Sequence, residues 1–214
     1  MSISFLHTME GNVALFAHAA ERAGWPPEVV RHEVRADLRQ AIAEQQADRA
    51  AAHARVHEAL RKLASESDAV VVTCATLGAA VDTFAASGVA VIRADAALAE
   101  AASRAGKKIA VLCAVESTIP ANRALFEQYA SATGATVAVR VVPAAWSLYQ
   151  EGRQEECMAA CAQAAKDARV QGFDVVAYAH PWMAAAAELD EENFRPLHSV
   201  QASLDAARAS ARAR

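Results

Sequence analysis

The segment AVVVTCATLGAAVD, residues 69–82, decides the fold class of this chain. It begins with a continuous apolar and mostly β-branched run, which is typical of a strand that is covered on both faces. The thiol of Cys74 follows this run, and small, helix-forming residues come directly after it. A buried strand that leads straight into a helix indicates a parallel sheet of the α/β class. In such sheets, ligands bind at the carboxyl ends of the strands.

Six further β-branched runs lie along the chain, and helical stretches such as the long Ala-rich run from Arg35 to Ser65 lie between them. These runs begin at Ile3, Val29, Val89, Lys108, Thr136 and Asp174. Alternating strand and helix patterns predict right-handed crossovers, and therefore parallel sheets flanked by helices. The residues from Pro196 to Arg214 are expected to form a helix that packs back on the first half.

The strands fall into two sets that resemble one unit used twice. FLHT before NVALF resembles VLCA before NRALF, and this match pairs Thr8 with Ala114. The distance from Thr8 to Cys74 is then 66 residues, as is the distance from Ala114 to His180. We therefore expect two pseudo-symmetric α/β domains, 1–104 plus 197–214 and 105–196, with the active site in the interdomain cleft.

Composition narrows the class of partner. Of the 214 residues, 54% are hydrophobic and 21% are charged, and the formal net charge is -4. This balance argues against a nucleic-acid binder, and no apolar run approaches the roughly 18 residues of a membrane span. The N-terminus has no signal-peptide pattern, so a cytoplasmic protein with four free thiols is expected. The predicted partner is a small molecule rather than nucleic acid or a membrane, and a homo-oligomer is left open.

Cys74 is the leading candidate for catalysis. A helix that begins after it directs backbone N–H groups and a positive dipole end towards the sulfur, which suits a base or a nucleophile. The alternative is a buried strand-end cysteine. Chemistry next to a carboxylate also needs donors for the negative charge that develops. Thr73 and Thr76 flank the thiol, and Ser117 and Thr118 belong to the second half, although each hydroxyl is alternatively a helix cap or an internal polar group.

Several motifs carry a family resemblance. VVVTCATLG followed by VAVIRADAALAEAA resembles the first half of the Asp/Glu racemase superfamily, which includes glutamate, aspartate and hydantoin racemases, maleate isomerase and arylmalonate decarboxylase. IAVLCAVESTIPANRALF and DVVAYAHPWMAAAA are similar to segments of its second half. The resemblance implies two pseudo-symmetric domains and an enzyme without metal or organic cofactor. It also implies that two cysteines move a proton on opposite faces of a carbon, and Cys74 matches the first of them.

The chain departs from the family pattern in three places. His180 stands where the second cysteine usually lies, and Ala75 replaces the usual asparagine. His7-Thr8 replaces an Asp-Ser pair, which argues against glutamate as the substrate. Thr76 and Thr118 are the preferred binding pair, because each matches a polar position of the family motif. The full set of expected substrate-contacting residues is Thr8, Thr73, Ala75, Thr76, Glu116, Ser117 and Thr118.

The role of His180 stays open at this point. Histidine can act as a general acid or base near neutral pH, but it can equally bind a carboxylate or fill a polar niche. Glu116 either orients His180, contacts a polar group of the substrate, or is a solvated loop carboxylate.

Two other pairs and one further thiol have structural interpretations. Cys157 with Cys161, and His53 with His57, each offer two metal ligands at i,i+4 spacing, whereas a zinc site needs three or four. We expect core thiols, a solvated histidine face, and a strand-core position for Cys113.

The sequence therefore predicts a cofactor-independent racemase or isomerase that acts on a small carboxylic acid through Cys74 and His180. Two alternatives remain, which are an arylmalonate-decarboxylase-like lyase that uses Cys74 alone and a non-catalytic small-acid binding protein of the same fold.

Overall fold

The computed structural model describes residues 2–44, 48–85, 88–189 and 194–212. Within these ranges the chain alternates between strands and helices. The strands are β1 Ile3–His7, β2 Val30–Val34, β3 Ala69–Val72, β4 Ala90–Arg93, β5 Lys108–Cys113, β6 Thr136–Val141, β7 Val175–Tyr178 and β8 Leu197–His198. The α-helices are α1 Gly11–Arg22, α2 Ala36–Glu44, α3 Arg49–Glu66, α4 Gly78–Asp82, α5 Ala94–Ala105, α6 Ile119–Thr133, α7 Ala145–Gln150, α8 Gln154–Val170 and α9 Ser199–Arg212. None of the described helices has the length and apolar character needed to cross a membrane.

The strands form two parallel sheets of the same topology. The first sheet has the order β2-β1-β3-β4, and the second has the order β6-β5-β7-β8. Each sheet therefore places the first and third strands of its half side by side at the centre. The predicted fold class, two pseudo-symmetric α/β halves with parallel sheets flanked by helices, is confirmed.

The chain divides into two compact units. Unit 1 comprises Met1–Asp95 and Ser203–Arg214, and unit 2 comprises Ala96–Ala202. One division lies at the start of α5 and the other lies within α9. The domain limits expected from the sequence, at 104/105 and 196/197, lie at the far end of α5 and just before α9, and they stay a prediction.

One carboxylate holds the start of the central strands in each unit. In unit 1 the Asp68 Oδ2 accepts a hydrogen bond from the Ser2 backbone N–H at 2.6 Å. In unit 2 the Asp174 Oδ2 accepts from the backbone N–H of Lys108 at 2.9 Å. Each pair is 66 residues apart, which is the spacing that also relates Thr8 to Cys74 and Ala114 to His180.

Strand β5 explains why the central strands are continuously apolar. Its alternate residues Ile109, Val111 and Cys113 pack with α5 and α6 on one face of the sheet. The intervening residues Ala110 and Leu112 pack with α8 on the other face. Since both faces are covered, the strand needs apolar side chains at successive positions. This is the physical origin of the runs that mark the strands in the sequence.

The core of unit 1 is built in the same way. Leu6, Val70 and Val72 pack against α2, α3 and α4. On the opposite face of the sheet, the Phe5 ring lies 5.3 Å from the Phe16 ring of α1. Leu204 of α9 is also fully buried.

Two helices predicted from the sequence differ from those in the structure. The tail after Pro196 was expected to be helical from its start, yet Leu197–His198 forms a short strand parallel to β7 and the helix begins only at Ser199. Proline favours an extended residue before it, so the chain arrives extended and pairs with the sheet edge before it turns. The run from Arg35 to Ser65 forms α2 and α3, and residues 45–47 between them lie outside the described part of the chain.

Candidate active site

Cys74 lies at the carboxyl edge of the first sheet. The sheet ladder continues one residue past β3, because the Thr73 N–H donates to the Leu6 carbonyl at 3.0 Å. The chain then turns into a 3-10 segment, Ala75–Leu77, closed by a hydrogen bond from the Leu77 N–H to the Cys74 carbonyl at 3.1 Å. The thiol is free and partly exposed. It thus meets solvent at the edge where ligands of α/β sheets bind.

The residues around Cys74 differ in accessibility. Ala75 and Thr76 are exposed, so the Thr76 hydroxyl is available to a ligand. Thr8 and Thr73 are buried, with only 5% and 7% of their surface exposed. Leu6 of β1 pairs with Val72 of β3. Thr8 and Cys74 each follow two residues later, so they lie at equivalent positions past the two strands.

The Thr73 hydroxyl is part of a buried chain of hydrogen bonds. It lies 2.9 Å from Nδ1 of His7, and Nε2 of His7 lies 2.9 Å from Nδ1 of His32. The two imidazole rings stack with Phe5 between β1 and β2, at ring distances of 5.0–5.9 Å. Neighbouring strands thereby connect the residue before Cys74 to the outer strand β2.

Burial favours the neutral form of both histidines in this hydrogen-bond chain, His7 and His32. Burial, and then the neighbouring charge of His32, lowers the pKa of His7 from 6.5 to about 3. Burial also lowers the pKa of His32. Neutral imidazoles carry one donor and one acceptor each, so the proton order depends on Thr73. When Thr73 donates to the Leu6 carbonyl, 3.3 Å away, His7 donates from Nδ1 and His32 donates from Nδ1 in turn.

His180 occupies the corresponding place in the second sheet. It is the second residue after β7, as Cys74 is the second residue after β3. The ladder again extends one residue, since the Ala179 N–H donates to the Leu112 carbonyl at 2.9 Å. A 3-10 segment, Pro181–Leu189, begins directly after His180. The predicted equivalence of Cys74 and His180 within their own sheets is therefore present in the topology.

The His180 ring is partly buried and has an unsatisfied nitrogen. Its Nε2 is buried and has no hydrogen-bond partner among the described residues, so Glu116 does not bind this atom. Burial lowers the pKa of His180 from 6.5 to about 4. The ring is therefore neutral at pH 7.

Aromatic side chains extend outward from His180. Its ring is nearly parallel to that of Trp182, with centroids 5.7 Å apart. Trp182 stacks on Tyr149 at 4.3 Å, and Tyr149 stacks on Trp146 at 5.9 Å. Trp146 is 38% exposed, so the stack runs from the surface to the candidate residue.

The predicted binding residues of unit 2 follow β5, the strand next to β7. Glu116 and Ser117 are exposed in the 3-10 segment Glu116–Thr118. The Thr118 hydroxyl donates to the Val115 carbonyl at 2.7 Å, so its proton is used within the loop. Cys113 is buried as predicted, and burial raises the pKa of its thiol.

The two i,i+4 pairs have different outcomes. Cys157 and Cys161 are fully buried core thiols of α8, as predicted. The solvated-face interpretation is wrong for His57, whose Nε2 lies 2.8 Å from the Ala80 carbonyl at the end of α4. The last carbonyls of a helix have no partner within the helix, and this contact holds the His57 ring against α4. Within the described part of the chain, no group of three or more His, Cys, Asp or Glu side chains could hold a metal ion.

Sequence reasoning missed His32 and the Tyr149–Trp182 contact. Both depend on neighbours that are distant in sequence. The only sequence signal for His32 is a polar ring within the β-branched run VRHEV.

Comparison with known proteins places the fold. No family model and no curated protein matches the chain. An aspartate racemase from Picrophilus torridus has a TM-score of 0.71 at 11% identity, over 99% of this chain and 95% of that chain. A glutamate racemase from Bacillus anthracis has a TM-score of 0.67 at 17% identity, over 99% and 82%. An allantoin racemase from Klebsiella pneumoniae has a TM-score of 0.65 at 19% identity, over 100% and 88%. The chain shares the fold of these three racemases.

Proposed function

We propose that this chain is a cofactor-independent racemase or isomerase that transfers a proton at the carbon next to a carboxylate or carbonyl group. Cys74 and His180 are its proton-transferring residues. One observation carries the proposal, which is that each residue is the second after the third strand of its sheet, in two sheets of the same strand order. Thiols and imidazoles both serve as general acids and bases. The fold shared with aspartate, glutamate and allantoin racemases supports the same class of reaction.

The pKa of His180 determines which of the two residues acts first as the base. With a pKa of about 4, the free imidazole is neutral at pH 7 and begins as the base. It removes the α proton and becomes imidazolium, while the Cys74 thiol gives its proton to the other face of the carbon and becomes thiolate. One C–H bond breaks and one forms. The thiolate and imidazolium then act on the opposite enantiomer, or return to the neutral forms by proton exchange with water.

The intermediate carries extra negative charge on carboxylate or carbonyl oxygens, which needs donors in place. Thr76 and Ser117 are the proposed donors, because both are exposed next to the strand ends. Thr73 and Thr118 use their hydroxyls inside their own units and serve to position the loops. Ala75 and Glu116 are exposed and are proposed to contact the substrate, and the buried Thr8 is proposed to act at the base of the site.

A lyase reaction is the second candidate, and the accessibility of the thiols favours it. Cys113, Cys157 and Cys161 are fully buried, so Cys74 is the one cysteine with an exposed surface. Decarboxylation of a malonate-type acid needs one acid to protonate the intermediate on one face. In that reaction His180 binds a carboxylate instead of moving the α proton.

Incubation in deuterated water separates these reactions. The panel contains 2-substituted acids, amino acids other than glutamate, hydantoins and substituted malonates, and NMR follows each compound. Deuterium at the α carbon without loss of CO2 supports the racemase or isomerase, whereas release of CO2 supports the lyase. Binding of panel acids without either reaction contradicts both and supports a binding protein.

Matched cysteine variants assign the chemistry. Cys74→Ser should abolish racemisation, because the thiol proton that is delivered to the other face of the carbon is lost with little change of volume. Cys157→Ala, at a buried thiol of α8, should retain it at a stability cost of about 1 kcal/mol or more. Full racemase activity in Cys74→Ser would overturn the proposed role of Cys74.

A further inference from the structure

The rings of His180 and Trp182 are held parallel by the turn that follows β7. The Met183 N–H donates to the His180 carbonyl at 3.0 Å, and Pro181 is the second residue of this turn, where proline presets φ. The two rings flank the proline, their planes differ by only 4°, and their centroids are 5.7 Å apart. Four consecutive residues therefore build this ring contact locally.

Trp182 is itself held in place by other parts of unit 2. Tyr149 of α7 stacks on it, with 4.3 Å between the ring centroids and 18° between the planes. Both side chains are partly buried and pack against the core cluster that includes Tyr178 and the buried thiols of α8. The indole therefore has a fixed place, and the imidazole of His180 stacks on a held surface.

His180 has no hydrogen bond at Nε2 that would orient its ring. A histidine that moves protons is commonly oriented by a hydrogen bond from its second ring nitrogen to a carboxylate or a carbonyl. The Nε2 of His180 is buried and has no partner among the described residues. The parallel ring of Trp182 is the neighbour that can fix the plane of the imidazole instead.

Helix α8 packs against the Pro181–Leu189 segment but supplies no charge to its buried side. Burial raises the pKa of the thiols of Cys157 and Cys161, so both are neutral near pH 7. The charged residues of α8 are all exposed, namely Glu155, Glu156, Lys166, Asp167 and Arg169.

The other elements against this segment are β7 and β8. Tyr178 of β7 donates its hydroxyl proton to a main-chain carbonyl of α8 at 3.1 Å. His198 of β8 accepts at Nδ1 from the Gln201 N–H at 3.3 Å, which requires a neutral ring. On the segment itself, Glu188 lies 3.9 Å from Arg195. An imidazolium formed at His180 therefore has no ion pair at Nε2 among the described residues.

We propose that Trp182 is the positioning residue of His180, and that its indole stabilises the imidazolium by a cation–π contact while the proton is held there. A cation within about 6 Å of an indole centroid is attracted to the ring face, more strongly where water is excluded. Trp182 thus does for His180 what a carboxylate does in other proton-transferring histidines. The inference rests on the proposed racemase function, in which His180 takes up the α proton.

Fluorinated tryptophans at position 182 test the charge contact with almost no change of shape. Each fluorine withdraws electron density from the ring face and weakens its attraction for a cation. The pKa of His180, followed by ¹⁵N NMR of the ring, should fall below its wild-type value of about 4 as 5-fluorotryptophan and then 5,7-difluorotryptophan replace Trp182. We expect a fall of about 0.5 or more with two fluorines.

The same substitutions at Trp146 are the matched control. Trp146 belongs to the same stack but contacts Tyr149 rather than His180, so its fluorination should leave the pKa of His180 unchanged. A stack that only fills space would show no dependence on fluorine at either position. An unchanged pKa in the position 182 series, or an equal fall in both series, would overturn the cation–π contact.

Kinetics at pH 7 test the positioning. Trp182→Leu should lower kcat for racemisation about tenfold or more with KM little changed, because the lost contact matters most when His180 carries the proton. Trp182→Phe keeps a flat ring face and should recover part of kcat. Equal kcat in Trp182→Leu and wild type, or no recovery with phenylalanine, would overturn the positioning role. Failure of wild type to racemise any acid would contradict the proposed function, whereas the fluorine series involves no turnover and decides the ring contact separately.

Discussion

Acid is expected to destabilise unit 1 through His7. In the folded protein the pKa of His7 is lowered from 6.5 to about 3, by burial and then by the charge of His32. The unfolded chain therefore takes up a proton near pH 6.5 that the folded chain does not take up until about pH 3. Because the unfolded state binds more protons in this window, the free energy of unfolding is highest above pH 6.5 and falls as the pH falls.

The size of this effect follows from the width of the window. Each pH unit within it costs about 1.4 kcal/mol for one such group. Lowering the pH from 6.5 to about 5 therefore removes about 2 kcal/mol through His7 alone. A typical domain is stabilised by roughly 5–15 kcal/mol, so the loss is readily measured. His180 adds a similar loss in unit 2, where the window extends down to about pH 4.

Urea unfolding at pH 7 and at about pH 5 tests this reasoning, with wild type compared with His7→Phe. Phenylalanine keeps a ring in contact with Phe5 and Phe16 but does not titrate. The loss between the two pH values should be smaller in the variant by about 2 kcal/mol. Each protein is compared with itself, so hydrogen bonds lost at both pH values cancel. Ala14→Leu, at an exposed position of α1, is the control and should show the same loss of stability between the two pH values as wild type. An equal difference in wild type and His7→Phe would refute the neutral, buried state of His7.

Three further outcomes are expected. Malonate binding should raise the pKa of His180 from about 4 by a unit or more, because a nearby anion favours the imidazolium form. NMR titration of the ring measures this pKa, and an unchanged value would contradict a carboxylate bound next to His180. His57→Ala should lower the free energy of unfolding by about 1 kcal/mol, since it loses a hydrogen bond to a main-chain carbonyl, and an unchanged urea midpoint contradicts this role. Gly78→Ala should cost about 1–3 kcal/mol, because the new methyl would lie 2.6 Å from the Arg93 guanidinium, which two aspartates hold. Gly11→Ala, with open space around it, is the control, and equal urea midpoints would contradict the clash.

The central strands were predictable because their burial has a local signature. A strand covered by helices on both faces needs apolar residues in succession, so β1, β3, β5 and β7 are visible as runs. The repeat spacing of 66 residues was predictable for a similar reason, since two halves of the same topology keep equivalent strand ends at equal distances. Strand β8 was not predictable, because two residues, Leu197–His198, are too few for any periodic pattern.

Contacts across the sheets were beyond the sequence pattern. His7 and His32 meet because β1 and β2 pair in parallel with Phe5 opposite His32, and this register is set by the folded sheet. Tyr149 and Trp182 meet because α7 and the Pro181–Leu189 segment both pack on α8. His57 was assigned to a solvated face because helical spacing does not reveal that the end of α4 lies within reach.

The equivalent strand ends carry the same two chemistries in exchanged order. His7 ends β1 and Cys74 follows β3, whereas Cys113 ends β5 and His180 follows β7. The residue that ends the first strand is fully buried in both units, and its side chain is hydrogen-bonded inside the unit. Burial lowers the pKa of His7 and raises that of Cys113, so both are held neutral and take no part in proton transfer near pH 7. Of these four residues, only Cys74 and His180 combine a partly exposed side chain with a proton-exchanging group. The proposed chemistry therefore pairs a thiol with an imidazole rather than two thiols.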